Sequence, residues 1–273
     1  MRLINKTPSR PVAVALAALP FVIAIIVYAW ASDARLAVNP ADKLLPSLAR
    51  MGEAFWQMAF VPNRRTGEYL LWRDTVASLY RLAMGVSISA LMAITIGTLL
   101  GFVPLLRATL GSFVAALSLI PPITVLPILF ITFGLGEVSK IALIVVGTAP
   151  VMIRTIAQAV EDLPREIVVK AQTFGATTWQ MIIRVVLPQI LPRLFLAIRF
   201  GLVPAWIFLI SAEAIASTEG LGYRIFLVRR YLAMDIILPY VAWITLIAFL
   251  VDRVFLGLSR ILCPWAHLPA KAG

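Results

Sequence analysis

Arg199 and Glu213 stand inside long apolar runs, which makes them the first candidates for chemistry. Charge in a segment that lipid would surround is costly, and it marks function by default. The two lie fourteen positions apart, roughly 21 Å along a straight helix at about 1.5 Å per residue. They cannot pair on one helix. Arg199 can satisfy nearby carbonyls or extend its charge toward a membrane surface. Glu213, beside Ser211 and Ser217, can line a path or gate, or it can pin the following loop through backbone N–H groups. Both readings of Glu213 stand. A carboxylate repels anions, so Glu213 is not assigned as an anion ligand. Arg154 and Asp252, at the ends of other apolar runs, read as interface anchors.

No catalytic set is visible. Cys263 is the one cysteine and His267 the one histidine, so an intrachain disulfide and a Cys-based metal site are excluded. No paired carboxylates occur at helical spacing within an apolar run. No G-x-x-x-x-G-K-[ST] occurs either, so the chain lacks that cradle for nucleotide phosphates. The expectation is a protein that is not an enzyme and carries neither metal nor cofactor.

One polar stretch differs from the rest. From Glu161 to Pro188 the chain mixes charged, aromatic and aliphatic residues. After Arg165, Glu166 opens a short amphipathic helix through Val169, Lys170 and Ala171 to Phe174. Gly175 ends it, as glycine does just past a helix C-terminus. Thr177 can cap a second short helix, which Pro188, after Leu187, is expected to close. A helical hairpin of this kind is either a solvated interfacial loop or a docking surface for a soluble partner.

The elements that position these residues follow from composition. Of 273 residues, 61% are hydrophobic and 14% charged, against roughly 45–50% and 25% in a soluble domain. Lipid can solvate that surface and water cannot. The formal net charge of +11 comes from residues between apolar runs, not from a basic stripe with interleaved aromatics. A nucleic-acid partner is therefore not expected.

Apolar periodicity predicts about six transmembrane helices: Pro11–Ala31, Leu82–Val103, Leu110–Phe133, Val138–Gln158, Ile190–Ala214 and Ile236–Leu258. The first is too long for a signal h-region and is read as an uncleaved helix. Segment 1–31 is then a cytoplasmic end plus the first span, and 32–75 is extracytoplasmic. Leu48–Phe60 forms an interfacial helix within it. Residues 76–260 form the core, with the cytoplasmic loop 161–188, and 261–273 form a cytoplasmic tail. Lys and Arg placement favours both termini inside. Gly97 and Gly101 mark a close helix approach. Pro121, Pro122 and Pro127 interrupt the third run and suggest a kinked, path-lining helix, since freed carbonyls need a cavity or a neighbour.

Gly175, Ala176, Leu187 and Pro188 fall where the "EAA" loop of bacterial ATP-binding-cassette importer permeases has its glycine and its Leu-Pro. The triplet reads Val169-Lys170-Ala171, so only Ala171 matches there. From Trp72 to Trp265 the chain resembles that family. Ile120-Pro121-Pro122, Leu126-Pro127, Phe133 to Lys140, Ala212-Glu213 and Glu219-Gly220-Leu221-Gly222 resemble its nitrate/sulfonate/taurine branch.

The resemblance implies an all-α, polytopic type I importer permease fold in a bacterial inner membrane. It implies a coupling loop (Arg165, Glu166, Val169, Lys170, Ala171, Phe174, Gly175, Leu187 and Pro188) that docks a cytoplasmic ATPase subunit. Val169 cannot supply the acidic contact of the family, so a charged contact falls to Arg165, Glu166 or Lys170. It further implies a second permease subunit, as a homodimer, and an extracytoplasmic substrate-binding protein. Pro121, Pro122, Pro127, Glu213 and Ser217 are the path or gate candidates. The competing expectation, a self-sufficient secondary transporter or channel, calls for an inverted repeat, and none is visible.

Overall fold

The computed structural model describes residues 8–64 and 66–267. Arg2, Lys6, Arg65 and Lys271 lie outside the described residues, as do the outermost ends of segments 1–31 and 261–273. All regular structure among the described residues is helical, and it falls into two compact units.

The first unit takes the chain to Tyr69, together with Val228–Val241. Helix α1 (Arg10–Val38) is an apolar rod with Pro11 in its first turn, where a missing N–H costs nothing. Helix α2 (Leu48–Phe60) covers the residues marked by apolar spacing, and the Ser47 hydroxyl caps it by accepting the Arg50 N–H. The turn between them folds onto the end of α1. Tyr28 donates to the Pro46 carbonyl at 2.8 Å and Ser32 to the Leu45 carbonyl at 2.9 Å. Asp42 accepts the Leu44 N–H and the Arg35 guanidinium. The Leu44 N–H contributes most to holding the Asp42 carboxyl below its ordinary range.

The second unit takes Leu70–Leu227 and the chain from Ala242 onward. Helices α3 (Leu70–Met92) and α4 (Thr98–Phe102) join through a π-turn at Ala93–Gly97 into one 33-residue stretch. Then come α5 (Pro104–Leu117), α6 (Pro122–Phe133), α7 (Glu137–Glu161), α8 (Arg165–Thr173) and α9 (Thr178–Met181). A second π-turn at Ile182–Val186 leads into α10 (Leu187–Ala216). Helices α11 (Leu221–Arg229) and α12 (Met234–Leu262) follow, the end of α11 from Val228 and the start of α12 to Val241 counting with the first unit. Among the described residues of both units, five stretches are long and apolar enough to cross a membrane, and six if the bent pair α5–α6 counts as one.

Helix α7 sits at the centre of this unit and touches α3, α4, α5, α6 and α10. Its seam with the α3–α4 stretch is built from small residues. Ser89 and Thr148 share a 2.7 Å hydrogen bond, and Gly85 faces Ile144. Gly97 and Gly101 bring the backbones together, so that a Cβ on Gly101 would lie 2.6 Å from the Ala157 carbonyl oxygen. The expected close approach is therefore real, and α7 is the partner. Gly101→Ala is expected to destabilise the protein by about 1–3 kcal/mol, the usual cost of overpacking, read as a lowered thermal midpoint in detergent.

Two expectations need correction. The third apolar run is not one kinked helix, because α5 and α6 meet at 94°. The hydrogen bonds at Leu119 and Ile120 tighten to three-residue spacing. Pro121 and Pro122 then have no N–H to continue the ladder, and Pro121 takes an extended ψ of 115°, as a residue before proline must. Pro122 restarts the helix at its first turn, a position that suits proline. Second, Pro188 does not close a short helix. The chain runs unbroken as helix from Thr178 to Ala216. The π-turn just ahead of Pro188 widens the helix where its ring needs room.

Candidate functional site

Asp74, Ser78 and Arg81 recur at four and three residues along α3, so they share one face. That face carries a buried ion network at the end of the bundle where α3 and α7 begin and α10 ends. Arg81 is 1% exposed and Glu213 fully buried. The Arg81 guanidinium donates to Glu213 Oε1 at 2.7 Å, to the Glu219 carbonyl at 2.9 Å, and to both Glu137 oxygens at 2.5 and 2.8 Å. Lys140 adds a 2.8 Å contact to Glu137. Asp74 pairs with Arg224 at 2.8 Å, and Arg73 with Glu219 at 2.7 Å. Four cations thus meet four carboxylates; Arg81, Lys140, Asp74 and Glu213 among them are buried, and pairing is how buried charge is tolerated.

The network grips the start of α11. The N–H groups of Gly220, Leu221 and Gly222 donate to Asp74, Ser78 and Glu213 in turn, at 3.0, 2.9 and 2.9 Å. Acceptors with negative charge suit a helix N-terminus. The glycines are required here. Gly220 has φ +123°, and a Cβ on it would lie 2.5 Å from the Glu213 carboxyl. A Cβ on Gly222 would lie 2.7 Å from the Ile210 carbonyl oxygen. Glu213 therefore turns toward the loop that follows it. Ser217 caps α10 and its hydroxyl donates to the Glu219 carbonyl. Sequence reading missed Arg81 because it stood just ahead of the expected start of the second span. The spacing of Asp74, Ser78 and Arg81 was the available signal.

A cavity of about 310 Å³ lies halfway along the unit, against the α5–α6 break. Pro122 lines it; Pro121 and Pro127 do not. Pro121 caps α6 and Pro127 sits within that helix. Ser118, Thr148 and Thr155 add hydroxyls, and Pro150 and Pro204 line it from α7 and α10. Both prolines lack an N–H, so the ladder bonds to the carbonyls of Val146 and Phe200 are missing. Those two residues also line the cavity.

Further charges inside apolar helices find partners. Arg199 and Asp252 form a two-pronged pair across α10 and α12 at 2.7 and 2.9 Å. Arg107 bonds the carbonyls of Leu100 and Gly101 and pairs with Glu161 at 3.0 Å.

The hairpin occupies the opposite end of the bundle. Helix α8 ends in a Schellman motif: Ala176 N–H bonds the Ala171 carbonyl, and Gly175 N–H bonds that of Gln172. Gly175 has φ +74°, the left-handed geometry this motif needs. Thr177 and Gln180 form a reciprocal capping box at the next helix. The two caps fix the turn and leave its apolar tip in the open. Phe174 is 90% exposed, and Val169 and Trp179 are also exposed. Arg165, Glu166 and Lys170 are exposed around them, and Ala171 is half-buried. Leu187 and Pro188 belong to the start of α10, beyond the hairpin.

Comparison with known proteins agrees with this geometry. The profile of the family described as "Binding-protein-dependent transport system inner membrane component" matches residues 75–266. The taurine transport system permease protein TauC of Escherichia coli (strain K12) is 36% identical over 196 residues, 71% of each chain. The riboflavin transport system permease protein RibX of Chloroflexus aurantiacus is 30% identical over 248 residues, 90% of this chain and 89% of its own. An inward-facing structure of the MetNI methionine ABC transporter superposes with a TM-score of 0.63 at 21% identity, covering 73% of this chain and 99% of that one. The chain belongs to the binding-protein-dependent transport inner membrane components, the permease subunits of ATP-binding-cassette importers.

Proposed function

We propose that this permease forms half of the membrane path for a small solute of the nitrate, sulfonate or taurine type, and that the hairpin within the loop 161–188 docks the ATPase that drives it. The observation that carries the coupling role is the pre-shaped hairpin with Phe174, Val169 and Trp179 in the open. Exposed aromatic and aliphatic side chains rimmed by charge are the composition of a protein-binding surface. The chain has no phosphate-binding loop of its own, so the nucleotide chemistry is assigned to a partner subunit. Val169 offers no charge, and Lys170, Arg165 and Glu166 at the rim supply any ionic contact.

The second permease subunit is a copy of this chain, and a substrate-binding protein delivers solute at the end that carries the ion network. We assign that end to the extracytoplasmic side, and the hairpin and both termini to the cytoplasm. The chain itself catalyses no reaction and needs neither cofactor nor metal. The substrate class is supported by the likeness to the taurine permease. Co-purification from the native membrane tests the reading. An ATPase subunit should accompany the chain, and it should be lost on Phe174→Asp while the permease stays folded. A permease that purifies from that membrane without an ATPase, yet still moves solute, overturns it.

A further inference from the structure

Thr155, Ala197 and Phe200 bound the roughly 310 Å³ cavity beside the helix break on one side. These three residues also line a second cavity of about 450 Å³, toward the hairpin end of the bundle. Its polar lining is Arg154, Arg193, Gln158 and Asp162. The Gln158 amide donates to Asp162 at 3.0 Å, so that carboxylate already has a partner. Arg193 makes no hydrogen bond or ion pair among the described residues. Arg154 makes one: its guanidinium donates at 2.8 Å to the Ser118 hydroxyl, which in turn donates to the Ala115 carbonyl. Ser118 is the residue at which α5 breaks. One prong of Arg154 is thus tied to the broken helix, and its other donors are free to face the cavity. Two guanidinium groups against one occupied carboxylate leave this lining net positive.

We infer that Arg154 and Arg193 form an oxoanion site inside the path, which takes the sulfonate or similar anionic head of the solute as it leaves the central cavity. The inference rests on the proposed transport role and names what the path itself selects. A guanidinium fork matches an oxoanion in shape and charge. Both arginines are exposed at this open cavity, where a solute can reach them. The site must be weak, since a conduction site has to release what it binds. The anchor on Ser118 also gives the site a sense of conformation. Any movement of the α5–α6 break would move Arg154 with it.

A charge-selective modification experiment reads the site directly. Thr155, which lines both cavities, is replaced as Thr155→Cys in a Cys263→Ser background, in the complete transporter in lipid nanodiscs. A methanethiosulfonate reagent with an ethylsulfonate group is compared with its trimethylammonium counterpart. Each rate is divided by that of free 2-mercaptoethanol. The anionic reagent should be favoured. Arg154→Gln or Arg193→Gln should lower the preference about five- to tenfold, the scale of one unit charge removed within some 4–6 Å in a partly wet site. Arg154→Lys should retain it. Taurine at tens of millimolar should slow modification in the Arg154 protein and not in Arg154→Gln.

A ratio equal to that of the free thiol, or one unmoved by either glutamine variant, overturns the site. The ratio in the arginine-containing protein requires no charge-removing variant, so the test survives a misfolded mutant. The two readings also fail separately. Anionic preference and taurine protection without ATP-driven uptake retain the site and sink the transport reading. Taurine uptake without preference or protection does the reverse.

Discussion

Phe174→Asp is expected to reduce ATP-driven uptake about 100-fold or more while leaving the thermal midpoint of the permease nearly unchanged. Phe174 is 90% exposed, so its replacement removes almost no packing, and surface changes of this kind usually stay within about 0.5 kcal/mol. At an interface the same residue has a different weight. Aromatic anchors seated in a desolvated pocket contribute about 2–4 kcal/mol each, or roughly 30- to 1,000-fold in binding. A carboxylate in that pocket adds a desolvation cost. Uptake into proteoliposomes and a melting curve on the purified permease are the paired measurements. Uptake at the level of the unsubstituted protein would show that the tip of the hairpin carries no coupling contact.

Arg81→Met should have the largest effect on stability, about 3–5 kcal/mol, because it strands a buried charge. Glu213 is fully buried, and Arg81 is its one ionic partner among the described residues. Glu137 and the Glu219 carbonyl would lose donors in the same step. The prediction has an internal control. Arg81→Met combined with Glu213→Gln removes both charges, and a glutamine can still accept from Ser78 and Gly222. The double variant should recover at least half of the lost thermal stability. If the double variant is as unstable as the two singles added together, the pair is not coupled and the network argument fails. The function of the network follows from its place. It ties the loop after α10 to the starts of α3 and α7, so the proposed substrate-receiving end would move as one piece.

The legibility of these features in the sequence depended on range. Gly97 and Gly101 could be read because a four-residue spacing has one packing meaning on a helix. The hairpin could be read because Gly175 and Thr177 act on their immediate neighbours. The apolar stretch Leu48–Phe60 emerged with its expected bounds for the same reason. Arg81 and Glu213 could not be paired in advance, since 132 positions separate them and only the packing of α3 on α10 joins them. Arg199 and Asp252, 53 positions apart, escaped for the same reason. Glu213 kept two readings until its neighbours were in place; the structure aims it at Gly222 and Ser78. Proline misled in both directions. At Pro121–Pro122 it broke a run that hydropathy treats as continuous. At Pro188 it broke nothing, because a π-turn absorbed it, and no local rule distinguishes the two cases.

The central claim is that this chain moves solute only as the membrane half of an ATP-driven machine. The most direct measurement is taurine uptake into proteoliposomes with the permease alone, with its ATPase subunit, and with both ATPase and binding protein, each with and without ATP. Uptake should appear only when the permease, the ATPase, the binding protein and ATP are all present. Uptake by the lone permease, sustained by an ion gradient without ATP, would contradict the account.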